Sequence, residues 1–462
     1  MLFNSLEFLL FFVVVTTLYY LLPHRFRWML LLSASCLFYM YFKPIYILIL
    51  GFTIVVDYWV GIELEKCENQ SKRKIILILS LIANLGVLIE FKYANFIADN
   101  INQLLSFSNS HAQIPLLEIA LPIGLSFHTF QAMSYTIEVY RKNQKAEHHF
   151  GTYALYVMFY PQLVAGPIER PQNILHQFKK KINFSYTNFK TGLLFILIGL
   201  IKKVVIADRL GYYVDSYYDN LATMTFLPTI IAITFYSFQI YCDFSGYSSI
   251  AIGTAKCLGI NLMKNFDRPY SASTFRDFWK KWHISLSSWF RDYVFIPLGG
   301  SRVSAFLTNR NLLIVFLLSG IWHGAKWTFV FWGLIHAAFL IFENITRGSK
   351  FKIQNKYIKQ LFVFVIVTIA WVFFRSPNFE ISHTVLKKLI SIDFDIRISQ
   401  LSALLSPLNL LLSFVSIIIL YVIDNIPFGK IRKNTLLFFI AGTLLLILIG
   451  KTNEAQFIYF QF

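Results

Sequence analysis

Residues Leu312–Trp332 read LLIVFLLSGIWHGAKWTFVFW, an apolar run interrupted by Lys326 and His323. A helix needs roughly 20 such residues to cross the hydrocarbon core of a bilayer. Comparable blocks recur at Val13–Val15, Ile75–Ile82, Leu193–Leu200, Ile230–Ile233, Leu361–Ile369, Leu410–Ile419 and Leu436–Ile449. Inside lipid the backbone must satisfy its own hydrogen bonds, so these blocks are expected to be helices. Barrel strands would alternate apolar and polar residues, and that pattern is absent. Of 462 residues, 56% are hydrophobic and only 14% charged, against about a quarter charged in a soluble domain. The expected fold is an all-α polytopic membrane protein, a single integral membrane domain over 1–462.

The expected spans are Leu2–Leu22, Trp28–Tyr41, Tyr46–Val60, Ile75–Phe91, Ile119–Val139, Tyr153–Val164, Phe189–Ala207, Leu227–Leu258, Leu312–Trp322, Thr328–Phe342, Gln360–Phe374, Leu408–Ile423 and Leu436–Ile449. That is about eleven crossings plus shallow or re-entrant helices. Tyr153–Val164, short and interrupted by Pro161, is a candidate to re-enter. Leu227–Leu258 is long enough to tilt or break. Met1–Leu22 contains Glu7 and has no basic leader, and so reads as a retained first span with its N-terminus outside.

The formal net charge of +18 does not point to nucleic acid. The basic residues form short clusters between apolar blocks: Arg25 and Arg27, Lys72–Lys74, Lys179–Lys181, Lys202–Lys203, Lys350–Lys359 and Lys430–Lys433. Each is expected to be a solvated cytoplasmic loop beside anionic membrane lipids. Cys36, Cys67, Cys242 and Cys257 make no CxxC pair and no metal-ligand spacing, so no metal is expected.

The chemistry concentrates around Ser319–Trp327. An ionisable group at membrane depth is costly and is a functional candidate by default. Gly320 and Gly324 flank His323 and permit close backbone approach or a local break, while Trp322 and Trp327 are placed to wall a pocket. A neutral imidazole in a dry site suits a general base. A histidine bonding a carbonyl of a neighbouring helix fits the same spacing. Upstream, Thr274–Phe290 reads as one helix, with Phe278, Trp282, Leu286 and Trp289 on one face and Arg276, Lys280, His283 and Ser287 on the other. An interfacial amphipathic helix fits this pattern, as does one that aims His283 at a reaction chamber. Arg291 and Asp292 fall where this helix meets the Pro297–Gly300 turn, either paired with each other or lining an entrance. Asp243 and Ser245 sit mid-span, fit for a polar cavity or a helix contact. His336, roughly opposite His323 on an unbroken helix, and His128 are expected to pack. No HExxH, GxSxG or Walker loop is present.

These strings carry a resemblance. Leu121–Phe127, Val139–Arg141, Tyr160–Pro167, Lys202–Asp208, Tyr241–Gly253, Asn265–Tyr270, Phe278–Ser287, Arg291–Gly300, Gly320–Gly333, Trp371–Arg375 and Phe457–Phe462 together resemble a membrane-bound O-acyltransferase. The branch is that of the bacterial alginate O-acetyltransferase membrane subunit. The resemblance implies helices ringing a thinned central tunnel, a catalytic core at about 121–375, His323 as the family's near-invariant histidine and His283 as its companion. His128 and Glu138 depart from the residues usual at their positions, outside the histidine strings. The resemblance further implies no bound cofactor. A cytoplasmic thioester, acetyl-coenzyme A or an acyl-carrier protein, would supply the acyl group, and a separate extracytoplasmic acetyltransferase of SGNH type would be the partner. D-alanyl transfer to teichoic acid is the alternative within the family. Outside it, a transporter or flippase predicts polar groups in two halves, whereas here they cluster in Tyr241–Trp327. A scaffold that recruits a separate transferase is a third reading.

Overall fold

The computed structural model describes all residues except 109–111, 119–120, 165, 347–353, 392–399, 402–403, 427–428, 430–433 and 452–462. The Lys430–Lys433 cluster, residues 350–353 of the Lys350–Lys359 cluster and the closing Phe457–Phe462 string lie outside the described residues. All regular structure among the described residues is helical. The chain forms two compact units, Met1–Leu193 with Ala251–Met263, and Leu194–Ile250 with Lys264–Phe462.

The first unit holds α1 (Leu6–Leu21), α2 (His24–Met40), α3 (Tyr46–Lys66), α4 (Gln70–Leu88), α5 (Ala94–Phe107), α6 (Leu125–Tyr140), α7 (Phe150–Met158), α8 (Tyr160–Leu163) and α9 (Pro171–Lys179). A π-helical turn, Ile89–Tyr93, joins α4 to α5, so the expected Ile75–Phe91 span is part of a 38-residue element, Gln70–Phe107. The Tyr153–Val164 segment splits at Phe159 into α7 and α8, with Pro161 in the first turn of α8, where its missing N–H costs nothing.

Helices α3, α4 and α6 pack around a buried polar cluster. Ser80 Oγ (2.6 Å) and Asn84 Nδ2 (3.0 and 2.9 Å) donate to the fully buried Asp57 carboxyl, the satisfaction that a polar group needs at such depth. Arg73 departs from the solvated loop expected for Lys72–Lys74. It is buried, and its guanidinium donates to the carbonyls of Leu64, Cys67, Val139 and Tyr140. These are open carbonyls at the ends of α3 and α6, which a cation satisfies both by hydrogen bonding and through the helix dipole. His128 is buried with its ring 5.5 Å from Tyr39, the packing role expected of it. Glu169, in the loop before α9, accepts from Met263 N–H and Asn173 Nδ2.

Helices α10 (Tyr186–Leu200) and α12 (Phe226–Cys257) contribute to both units. The second unit continues through a π-helical turn Ile201–Ala207, α11 (Asp208–Asp219), α13 (Phe275–Lys281), α14 (Ile284–Phe290), α15 (Ala305–His323), α16 (Trp327–Thr346), α17 (Lys356–Arg375), α18 (Phe379–Ile390), α19 (Pro407–Asn425) and α20 (Thr435–Ile449). Helix α12 runs unbroken for 32 residues. The π turn carries Lys202 and Lys203 inward, so this pair is buried rather than a solvated loop. Lys203 Nζ bridges Asp208 (2.8 Å) and Asp243 (2.6 Å), and Lys202 Nζ pairs with Asp424 (2.7 Å), which also accepts from Tyr241 Oη (2.7 Å).

Six helical elements among the described residues are long and apolar enough to cross a membrane: α3, α4–α5, α15, α16, α17 and α19; α1 and α20 are shorter apolar helices. That criterion counts fewer crossings than the eleven expected. Helices α15 and α16 pack backbone to backbone. A β-carbon at Gly320 would overlap the Phe329 carbonyl, and one at Gly333 would overlap the Phe316 carbonyl. Small residues that let backbones touch are the usual means of joining helices in lipid, where apolar burial supplies no drive.

Candidate active site

His323 is the last residue of α15. Gly324 takes an extended backbone (φ −168°, ψ 154°) and stops the helix, and α16 begins at Trp327. The imidazole therefore sits at a hairpin end, 3% exposed. Its ring centroid lies 5.0 Å from Trp322, 5.0 Å from Trp332 and 5.3 Å from Phe374, each at a steep edge-on angle. Trp327, expected to wall this pocket, is 54% exposed, and it is Trp332, five residues further along α16, that closes against the histidine.

The single helix expected over Thr274–Phe290 is two. Thr274 caps α13, Trp282 is extended (φ −100°, ψ 128°), and His283 takes the left-handed conformation (φ 43°, ψ 55°) before α14 starts. The amphipathic stripe is broken there. Arg276 and Lys280 stay at the surface, whereas Trp282 and His283 are wholly buried. Non-glycine residues in that conformation cost about 1–3 kcal/mol and cluster at functional sites. The His283 ring lies 4.6 Å from Phe244 of α12 and 6.1 Å from Trp322. One indole, that of Trp322, thus touches both histidines. Trp282 packs against Phe266, Phe278 and Trp371 and fills the core behind them.

The second unit also holds a cavity of about 400 Å³ whose wall includes Trp279, Phe316, Ser319, Arg276, Lys280 and Arg291; neither His283 nor His323 is part of that wall. Ser319 lies one helical turn before His323 on α15. The Nε of Arg291 donates to Asp292 (2.8 Å), and that hydrogen bond raises the guanidinium pKa against partial desolvation. Asp243 serves the Lys203 bridge, and Ser245 is buried on the same helix. His336 does not stand opposite His323 on one helix, because the hairpin intervenes. It packs among Phe278, Trp279 and Trp332, and Trp332 is 4.9 Å from it and 5.0 Å from His323.

The residues missed by sequence reasoning are Trp332, Phe374 and Asn265. Asn265 is buried and faces His283 Nδ1 at 3.2 Å. The amide that opens the string Asn265–Tyr270 was the available signal.

The fold and site are those of a helical multi-pass membrane protein in which two buried histidines lie against one indole. Residues 125–382 match MBOAT, the membrane-bound O-acyltransferase family. The chain is 37% identical to the peptidoglycan O-acetyltransferase of Helicobacter pylori, over 79% of this chain and 73% of that one. It is 36% identical to the probable alginate O-acetylase AlgI of Azotobacter vinelandii, over 90% and 84% respectively. A more distant match, 28% identical over 56% of this chain and 70% of the other, is the teichoic acid D-alanyltransferase of Bacillus subtilis. The chain belongs to the membrane-bound O-acyltransferase family, and it is a multi-pass membrane O-acyltransferase.

Proposed function

We propose that this enzyme O-acetylates an extracytoplasmic polysaccharide, working as one integral membrane module over 1–462 with its catalytic core at about 121–375 in the bacterial cytoplasmic membrane. The observation that carries the reading is the contact of a single indole, Trp322, with both His323 and His283. The donor is a cytoplasmic thioester, acetyl-coenzyme A or an acyl-carrier protein, since both present a phosphopantetheine arm. The cavity suits that arm: its wall is largely apolar and Arg276, Lys280 and Arg291 offer positive charge to phosphate.

His323 takes the proton of an acceptor hydroxyl, whose oxygen attacks the thioester carbonyl. The C–O bond forms, the C–S bond breaks, and the departing thiolate recovers the proton from the imidazolium. His283 orients or polarises the reacting groups, and the Trp322, Trp332 and Phe374 rings exclude water that would hydrolyse the donor. General-base catalysis supplies roughly 10²–10⁴-fold, and positioning supplies the rest. The acceptor hydroxyl is carried by an SGNH-type protein outside the membrane, which passes the acyl group to a polymer hydroxyl by ester exchange and regains its own free hydroxyl. Acetyl transfer is favoured over D-alanyl transfer because the acetylating relatives are 36–37% identical over most of the chain.

The test is His323→Ala in cells lacking the native copy. Base-labile acetate on the surface polysaccharide should vanish while membrane levels of the protein are unchanged. Normal acetate would reject the mechanism and favour a scaffold, and loss of base-labile D-alanine with acetate unchanged would favour the teichoic acid reading.

A further inference from the structure

The backbone that sets His283 is pinned by a segment 16 to 18 residues upstream in sequence. Ile284 N–H donates to the Asn265 carbonyl (2.9 Å), and Asp267 N–H donates to the Lys281 carbonyl (2.9 Å). Residues 265–267 therefore run along the break between α13 and α14. The Asn265 side chain, 1% exposed, completes the clamp. Its Oδ1 accepts from Ser285 N–H (3.2 Å) and Ser285 Oγ (2.9 Å), and its Nδ2 donates to Ser248 Oγ of α12 (3.2 Å).

This network fixes which way the amide points. A backbone N–H can only donate, so the atom facing Ser285 N is the amide oxygen. The same oxygen lies 3.2 Å from His283 Nδ1. Because an amide oxygen can only accept, Nδ1 must carry the proton, and a neutral ring then keeps its lone pair on Nε2.

We propose that Asn265 is the positioning residue of His283: it holds the left-handed backbone, the ring plane and the Nδ1-protonated tautomer, so that Nε2 is the nitrogen available to the reacting groups. The proposal rests on the use of His283 in the function above. The side chains described against the ring are Phe244, Asn265, Phe266, Ser285 and Trp322, none of which titrates in the working range. The side-chain acceptor nearest Nδ1 is thus an amide, at 3.2 Å, with Ser285 Oγ next at 3.5 Å, rather than the carboxylate of a hydrolase triad.

The experiment is solid-state ¹⁵N spectroscopy of histidine-labelled full-length protein in lipid. The His283 signal is assigned by its loss in His283→Gln, and polysaccharide acetate is measured in cells carrying each variant. The wild type should show Nδ1–H. Asn265→Ala should move the ring toward Nε2–H and lower acetate by about 10-fold or more. Asn265→Asp, which keeps an accepting oxygen, should retain Nδ1–H and more acetate than the alanine variant. Nε2–H in the wild type, or an unchanged tautomer in Asn265→Ala, would overturn the proposal. Full acetylation by His283→Gln would instead overturn the catalytic use of His283, and the spectra would still judge the Asn265 geometry.

Discussion

Replacing Gly333 by alanine tests the whole placement of His323, because it touches neither histidine. A β-carbon there would fall inside contact distance of the Phe316 carbonyl and near the Cα of Gly320. The obstacle is backbone, which cannot rotate away as a side-chain tip would. Helices α15 and α16 must therefore part by on the order of 1 Å, with an overpacking cost of about 1–3 kcal/mol. His323 is carried by one helix and Trp332 by the other, so the same separation loosens the 5.0 Å contact between their rings. A misplacement of about 1 Å at reacting groups can lower turnover by roughly 10²-fold. The matched control is Gly51→Ala in α3, where nothing lies within 4 Å of the added carbon. There the substitution should be neutral or stabilising, by up to about 1 kcal/mol, through helix propensity. Thermal unfolding in detergent and acetate on the surface polysaccharide read both quantities. If Gly333→Ala matches Gly51→Ala in both, the tight hairpin and the dependence of His323 on it are wrong.

Three other outcomes follow from buried or clustered charge. Lys203→Met removes the ammonium shared by Asp208 and Asp243 and should destabilise the protein by about 3–5 kcal/mol, with partial recovery on adding Asp243→Asn; an unchanged thermal midpoint would reject the bridge. Arg276→Ala and Arg291→Ala should each raise KM for acetyl-coenzyme A several-fold, on the order of 1 kcal/mol, with kcat little changed and the effect weaker in high salt. A KM that does not move in membrane vesicles would remove the donor from that cavity. Burial pushes the Glu169 carboxyl from 4.5 up to about 7, outweighing its hydrogen bonds from Met263 and Asn173 and the charge of Arg170. The folded state thus favours the neutral acid. Its contribution is fully present below the unfolded value and is lost as pH rises through about 7, so Glu169→Gln should flatten the fall in thermal midpoint across that window.

Sequence made the membrane class and the neighbourhood of His323 legible, because both depend on local composition. An apolar block long enough to span has few other uses, and a histidine within one is conspicuous. Extended periodicity was less faithful. The stripe Phe278, Trp282, Leu286 and Trp289 fits a 3.6-residue repeat, yet the chain breaks between Trp282 and His283. Neither residue is a glycine or proline, so nothing local marks the break. The bonds that make it come from Asn265 and Asp267, far enough away in sequence that no window links them. Basic clusters misled for a related reason. Lys202 and Lys203 read as a loop because two of their partners, Asp243 and Asp424, lie far along the chain, and only the fold brings them together.

Both histidines sit where a helix is interrupted, and this has a physical basis. Within an α-helix an imidazole is confined to the few rotamers that the preceding turn allows, and it shares its face with residues one turn away. At a break the backbone itself can be turned to aim the ring. Gly324 frees the end of α15 so that His323 meets Trp332 from the returning helix, and the left-handed turn at His283 swings its ring off the α13 surface and into the core. The cost of each break is borne by specific partners: close helix contact at Gly320 and Gly333 for the first, and the Asn265 amide for the second. If that division is right, substitutions at Gly333 and at Asn265 should damage different histidines. Gly333→Ala should leave the His283 tautomer untouched while it lowers acetate, and a His283 signal that shifts in Gly333→Ala would show that the two breaks are held by one support rather than two.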